Sequence, residues 1–251
     1  AVHHTSGMET QKKNVLLLAS CQALLLTGSS TLISIGALAG YALAGDKRLA
    51  TLPQSAYVVG ALLGTMPASM WMRRVGRRNG FITGGVFALA ASTLATFAMV
   101  SSSLALLCAG TLLFGIYNAF GQYYRFAAAD AAAADFKARA ISLVLAGGLV
   151  GGILGPQVSK YTRGLAQTPF AASYASLFLV ALLAMAIVSR LRIPHAHDSV
   201  THGPARPLRA IVSQPVFLVA ASVAALGYGT MNLLMTATPL AMGFCGLGYD
   251  A

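Results

Sequence analysis

Seven long apolar runs, each near the length that spans a bilayer, constrain this chain more than any other feature. A helix needs about 20 apolar residues to cross the hydrocarbon core. Such runs lie at residues 15–38 (with a small-residue tail to Gly45), 53–72, 81–100, 104–124, 141–158, 170–188 and 215–242. The composition agrees, with 57% of residues hydrophobic and only 9% charged, where soluble domains carry about 25% charged residues. The fold class expected is therefore an all-α integral membrane protein with about seven transmembrane helices.

The charges then act as topology signals. Lys and Arg number 17 against 6 Asp and Glu, a net charge of +11, and nearly all fall in the gaps between apolar runs. That distribution follows membrane topology and argues against nucleic acid as a partner. Thirteen of the 17 cations lie in the amino-terminal segment and the second, fourth and sixth gaps, and four lie in the remaining gaps. The amino terminus is expected in the cytoplasm and the end of the seventh run outside. No cleavable signal is expected, because the first run is too long for a signal h-region. Met8 is a plausible start, which leaves His3 and His4 outside the functional argument. Cys21, Cys108 and Cys245 belong to different runs and form no CxxC, so the spacing defines neither a disulfide nor structural zinc. Cys21 and Cys108 read as small buried hydrophobes.

Three gaps and runs carry more detail. The second run stops abruptly at RRVGRRNG, residues 73–80. The alanine-rich stretch 126–140 holds Asp135 and Arg139 four residues apart, which predicts a short surface helix leading into the fifth run. The fifth run contains GGLVGGILGP at 147–156. Glycines at this density let a neighbouring helix approach closely, and Pro156 predicts a bend near the end.

The turn between the second and third runs reads SMWMRRVGRR, residues 69–78. It resembles the G-x-x-x-D-R-x-G-R-R pattern of the major facilitator superfamily at Arg74, Gly76, Arg77 and Arg78. Ser69 stands in place of the first glycine and Arg73 in place of the aspartate. Gly151, Gly155 and Pro156 match the G-x-x-x-G-P of a pattern common in exporters of that superfamily. Six spans, a long cytoplasmic connection and a further span agree with its plan. The resemblance implies a cytoplasmic segment at 1–14, a six-helix amino-terminal bundle at 15–188 and a central cytoplasmic loop at 189–214. Residues 215–251 then hold helix seven and the start of a second bundle. It implies a twelve-helix carrier whose last five helices lie beyond this chain.

The sharpest candidate site is a methionine stripe on the seventh run. Met231 and Met235 are one turn apart, Met242 falls within about 20° of Met231, and Cys245 about 40° off the stripe. Thioether sulfur is a soft ligand suited to Cu(I). MNLLM and TATPLAM resemble helix seven of CcoA-type bacterial copper importers, which implies Met231, Met235, Met242 and Cys245 as a metal site for a transported copper ion. No resident cofactor is expected. Met66 and Met70 repeat the M-x-x-x-M spacing in the second run, and methionine is common gap filler.

Other candidates carry weaker patterns. Asn118, Gln122 and Tyr123 are polar residues on the fourth run, which line either a substrate pathway or the cytoplasmic rim beside Arg125. Arg73, Arg74, Arg77 and Arg78 anchor topology, with a gating contact as the functional alternative. Gly147, Gly148, Gly151, Gly152 and Gly155 read as packing notches. His195, His197 and His202, with Asp198, read as a solvated linker rather than a chelate.

One absence shapes the substrate argument. No Asp or Glu interrupts the seven runs, nor does any Arg sit inside one to meet an anionic solute. The pattern argues against sugar, organic-anion and proton-linked drug transport. It holds no Ser-His-Asp order, paired carboxylates or cofactor loop, so no enzyme is expected. The favoured reading is copper uptake across a bacterial inner membrane by alternating access. The alternatives are export of small organic compounds or drugs, and a truncated or non-transport membrane subunit packing on a partner complex. The partners implied are the lipid bilayer, a small solute or copper ion, and a carboxy-terminal half or membrane partner.

Overall fold

The computed structural model describes residues 2–133, 135–191 and 212–245. Its helices are α1 (Val2–Leu43), α2 (Leu52–Val75), α3 (Arg77–Val100), α4 (Leu104–Gly121), α5 (Tyr124–Ala131), α6 (Lys137–Thr162), α7 (Ala171–Ser189) and α8 (Pro215–Phe244). A 3-10 turn at Lys47–Leu49 joins α1 to α2. Asp46 starts it by accepting a hydrogen bond from the Arg48 backbone N–H at 2.9 Å. Six spans are long and apolar enough to cross a bilayer, with α4 and α5 together forming one of them. Helix α2, at 24 residues, has the length as well. The chain separates into two compact units, Ala1–His195 and Ala196–Ala251, the second containing α8.

Within the first unit, α1 packs along α6, α2 along α4, and α3 between α4 and α7. Small residues make these seams. A Cβ on Gly147 or Gly151 would run into the backbone carbonyls of Ala19 and Ala23, and one on Gly155 into Ser30 and Thr27. Thr31 Oγ1 lies 2.9 Å from the Gly155 carbonyl and adds a hydrogen bond across the seam. Gly60 and Gly115 bring α2 and α4 together in the same way, against the carbonyls of Leu112 and Tyr57. In lipid there is little hydrophobic gain from hiding large side chains, so close backbone approach and hydrogen bonds hold the helices. On α6 most large side chains point outward: Leu149 is 72% exposed, while Ala140 and Val144 are fully buried.

Two local expectations change. The 73–80 stretch is almost entirely helical, and Gly76 alone separates α2 from α3. The alanine-rich stretch is not one surface helix: it is divided between α5 and the start of α6, and α5 exposes Arg125, Phe126 and Asp130 on one face only. Residues 124–131 form α5, whose Tyr124, Ala127 and Ala128 are buried against the bundle. Alanine is small enough for α5 to press on α1 and α6. Among the described residues, no ion pair joins Asp135 to Arg139.

Candidate functional site

Two regions of the first unit gather chemistry-bearing groups: a charged rim where α2 meets α3, and a neutral polar face inside the bundle. The rim is built on Gly76, whose φ of 84° and ψ of 161° belong to a region open essentially to glycine alone. This kink places Arg77 at the first turn of α3. Its Nε and Nη2 donate to Asp130 Oδ2 of α5 at 3.2 and 3.0 Å. The guanidinium also lies 5.9 Å from the Tyr123 ring centroid, within cation–π range. Tyr123 Oη donates to the Thr65 carbonyl of α2 at 3.1 Å. Arg77 thus ties three helical segments at one end of the bundle. Arg78 makes a separate tie, with Nη2 donating to the Ser189 carbonyl at 2.7 Å. Arg74 is exposed, and among the described residues neither it nor Arg73 forms an ion pair.

Asp130 is the residue that sequence reading missed. It supplies a carboxylate to the turn in which Arg73 replaces the expected aspartate. Its signal was an acid among alanines at the far end of the fourth span.

The interior face is neutral. Tyr57 and Phe114 ring centroids are 6.4 Å apart, and Phe114 meets Tyr117 edge-on at 5.4 Å. Tyr57 Oη donates to Ser29 Oγ at 3.3 Å. Both amide atoms of Gln54 are buried without a hydrogen-bond partner among the described residues. Asn118 is buried, and Gln122 Nε2 donates to its Oδ1 at 3.4 Å. Gln122 is exposed and Tyr123 half-buried. The three pathway candidates therefore divide, with Asn118 inside the bundle and Tyr123 in the rim network. Gln54 and Tyr57 were missed, although they share one α2 face with Gly60 and Gly64 at three- and four-residue spacing.

Gly151 and Gly155 lie in the α1–α6 seam, and Pro156 follows inside α6. By contrast, an added Cβ on Gly152 would meet nothing within 4 Å.

Met231 and Met235 share a face of α8 and are 46% and 48% exposed. Met242 is half-buried near its end, and Cys245 sits exposed in the following turn. Asn232 and Thr238 are satisfied by carbonyls one turn back in their own helix. Met66 and Met70 on α2 are at least as exposed as the α8 pair. Exposure therefore does not set the α8 stripe apart. His195, His197, His202 and Asp198 lie outside the described residues.

A chain of close-packed apolar helices with a cationic α2–α3 turn matches a known transporter family over nearly its whole length. Residues 18–250 match the Major Facilitator Superfamily model, and the chain belongs to that family. It is 39% identical over 234 residues to a riboflavin transporter of Brucella anthropi, covering 92% of this chain and 59% of that protein. An uncharacterized MFS-type transporter of Bacillus subtilis is 27% identical, over 95% of this chain and 58% of its own length. The chain thus spans under two thirds of these relatives. Among solved structures, a bacterial homolog of the human lysosomal transporter Spinster superposes with a TM-score of 0.65 at 18% identity, covering 96% of this chain and 57% of that one. A D-xylose–proton symporter gives 0.65 at 15%, covering 94% and 63%. These two likenesses concern the fold alone.

Proposed function

We propose that this chain carries a neutral, aromatic, hydrogen-bonding solute of the riboflavin class across a bacterial inner membrane. It works as the first helical unit, plus one helix of the second, of an alternating-access carrier. The observation that carries the reading is the chemistry of the bundle interior. Its buried polar groups are the amides of Gln54 and Asn118 and the hydroxyls of Ser29 and Tyr57, and Tyr57 lies beside the Phe114 ring, which meets Tyr117 edge-on. An uncharged solute pays little desolvation beside such groups, whereas an ion needs an opposite charge. The Brucella anthropi relative, a riboflavin transporter, supports the same substrate class. The distribution of Lys and Arg supports a cytoplasmic amino terminus.

The copper reading has one observation in its favour, the accessible Met231 and Met235 sulfurs on a common face of α8. Binding to the chain in nanodiscs separates the two. Riboflavin is followed by quenching of its fluorescence and Cu(I) by competition with a chromogenic chelator. Saturable riboflavin binding that weakens in Gln54→Leu supports the proposal. Cu(I) binding that disappears in a Met231→Leu, Met235→Leu double variant, with no riboflavin binding, overturns it in favour of copper.

A further inference from the structure

Where α3 begins and α7 ends, beside residues 13–17 of α1, the first unit opens into a cleft of about 490 Å³ lined by Lys13, Asn14, Leu17, Arg78, Ser189, Arg190 and Leu191. Among the described residues, three cations face this space and no carboxylate lines it. Arg78 is held in place by its 2.7 Å hydrogen bond to the Ser189 carbonyl, an orphan acceptor at the end of α7. That bond fixes one guanidinium edge and leaves further N–H donors in the cleft. Lys13 and Arg190 come from two other helices, so the three charges converge through tertiary packing. The gathering costs mutual repulsion, which an anion would relieve.

The level of the cleft identifies the source of that anion. Lys13 comes two residues before the apolar run that starts at Val15, Arg78 three residues before Phe81, and Arg190 two residues after Val188. All three stand at the edge of the hydrocarbon layer, where phospholipid phosphates lie. Leu17, one turn deeper on α1 than Lys13, lines the same cleft. A polar mouth over an apolar floor fits a headgroup with its acyl chain descending beside it. Lys13, Arg78 and the Arg190 guanidinium offer ammonium and forked donors to phosphate oxygens. Asp130, the neighbouring carboxylate of this rim, is already engaged by Arg77.

We infer that this cleft is a binding site for the phosphate of an anionic phospholipid from the surrounding leaflet. It is distinct from the solute face and does not depend on which solute is carried. The site pins α1, α3 and α7 together at the level of the headgroups.

The test is lipid retention by the 251-residue chain in nanodiscs made from equal parts phosphatidylglycerol and phosphatidylcholine. After transfer to mild detergent, co-purifying lipids are counted by mass spectrometry. The parent is expected to retain phosphatidylglycerol in preference to phosphatidylcholine. Lys13→Gln with Arg190→Gln should cut that preference by roughly fivefold or more, whereas Lys13→Arg with Arg190→Lys should keep it. Arg73→Gln with Arg74→Gln removes the same charge outside the cleft and should leave the preference unchanged. No preference in the parent overturns the inference without recourse to any variant. Equal loss in the Arg73, Arg74 control overturns it as well, because bulk charge would then be the cause. Release of the lipid by millimolar inorganic phosphate, with equal stabilisation of the parent by that ion, overturns the lipid source.

Discussion

The α1–α6 seam and the α2–α3 rim use opposite means to join helices. In the seam, contact is made by what is missing: Gly147, Gly151 and Gly155 lack the side chain that would strike the α1 backbone. At the rim, contact is made by reach, with Arg77 extending to Asp130 and Tyr123 to Thr65. Seam contacts are buried and rigid, and they tolerate no added atom. Rim contacts are partly hydrated, with Arg77 and Asp130 side chains 30% and 40% exposed, so they are cheap to break and remake. Stability should reside in the first region and conformational control in the second. An alternating-access carrier needs both, a unit that moves as one body and an edge that can let go.

The largest effect should come from Gly151→Leu, which forces a side chain into the Ala23 carbonyl and should cost about 3 kcal/mol or more in a denaturation titration in detergent. Gly152→Leu, one residue along the same helix and facing open space, should change stability by less than ~0.5 kcal/mol. Equal losses in the two variants would break the comparison, since the seam would then be no more demanding than the lipid face. Gly76→Ala comes next, at about 1–3 kcal/mol, because its backbone conformation excludes a Cβ. A melting temperature equal to the parent's would show that α2 and α3 need no glycine kink.

The rim should behave differently. A double-mutant cycle of Arg77→Gln and Asp130→Asn should return a coupling of only about 0–1 kcal/mol in stability. Protease accessibility of the α2–α3 turn should nevertheless rise in either single variant. A coupling well above that range would make the pair a structural strut and erase the contrast with the seam. The smallest effect is expected from Met231→Leu with Met235→Leu. This volume-conserving change on an exposed face should cost under ~1 kcal/mol.

The spans were legible because bilayer thickness fixes their length and composition carries the signal. Gly151 and Gly155 could be assigned to a close-packed face because repeated glycine in an apolar run has few other uses, whereas Pro156, grouped with them in the sequence, is exposed. Gly76 was legible within its motif, although the stretch around it is helical rather than open. The rim pair was not legible, because Arg77 and Asp130 are 53 residues apart and the acid lay among alanines that suggested a solvated helix. The neutral interior face escaped for a related reason. Single amides and hydroxyls in apolar runs reveal their common side only after the helices pack, as Tyr57 does on reaching Ser29. The methionine stripe drew attention by the softness of its sulfur, yet α2 carries an equally exposed pair at Met66 and Met70.

The most direct test of the proposed substrate class is uptake by a chimera joining this chain to the carboxy-terminal remainder of the Brucella anthropi riboflavin transporter. It would be expressed in a bacterium that requires riboflavin and lacks an importer. The account predicts saturable accumulation of labelled riboflavin and growth on low external riboflavin, both reduced by Gln54→Leu. A membrane-inserted chimera that accumulates copper but not riboflavin would contradict it.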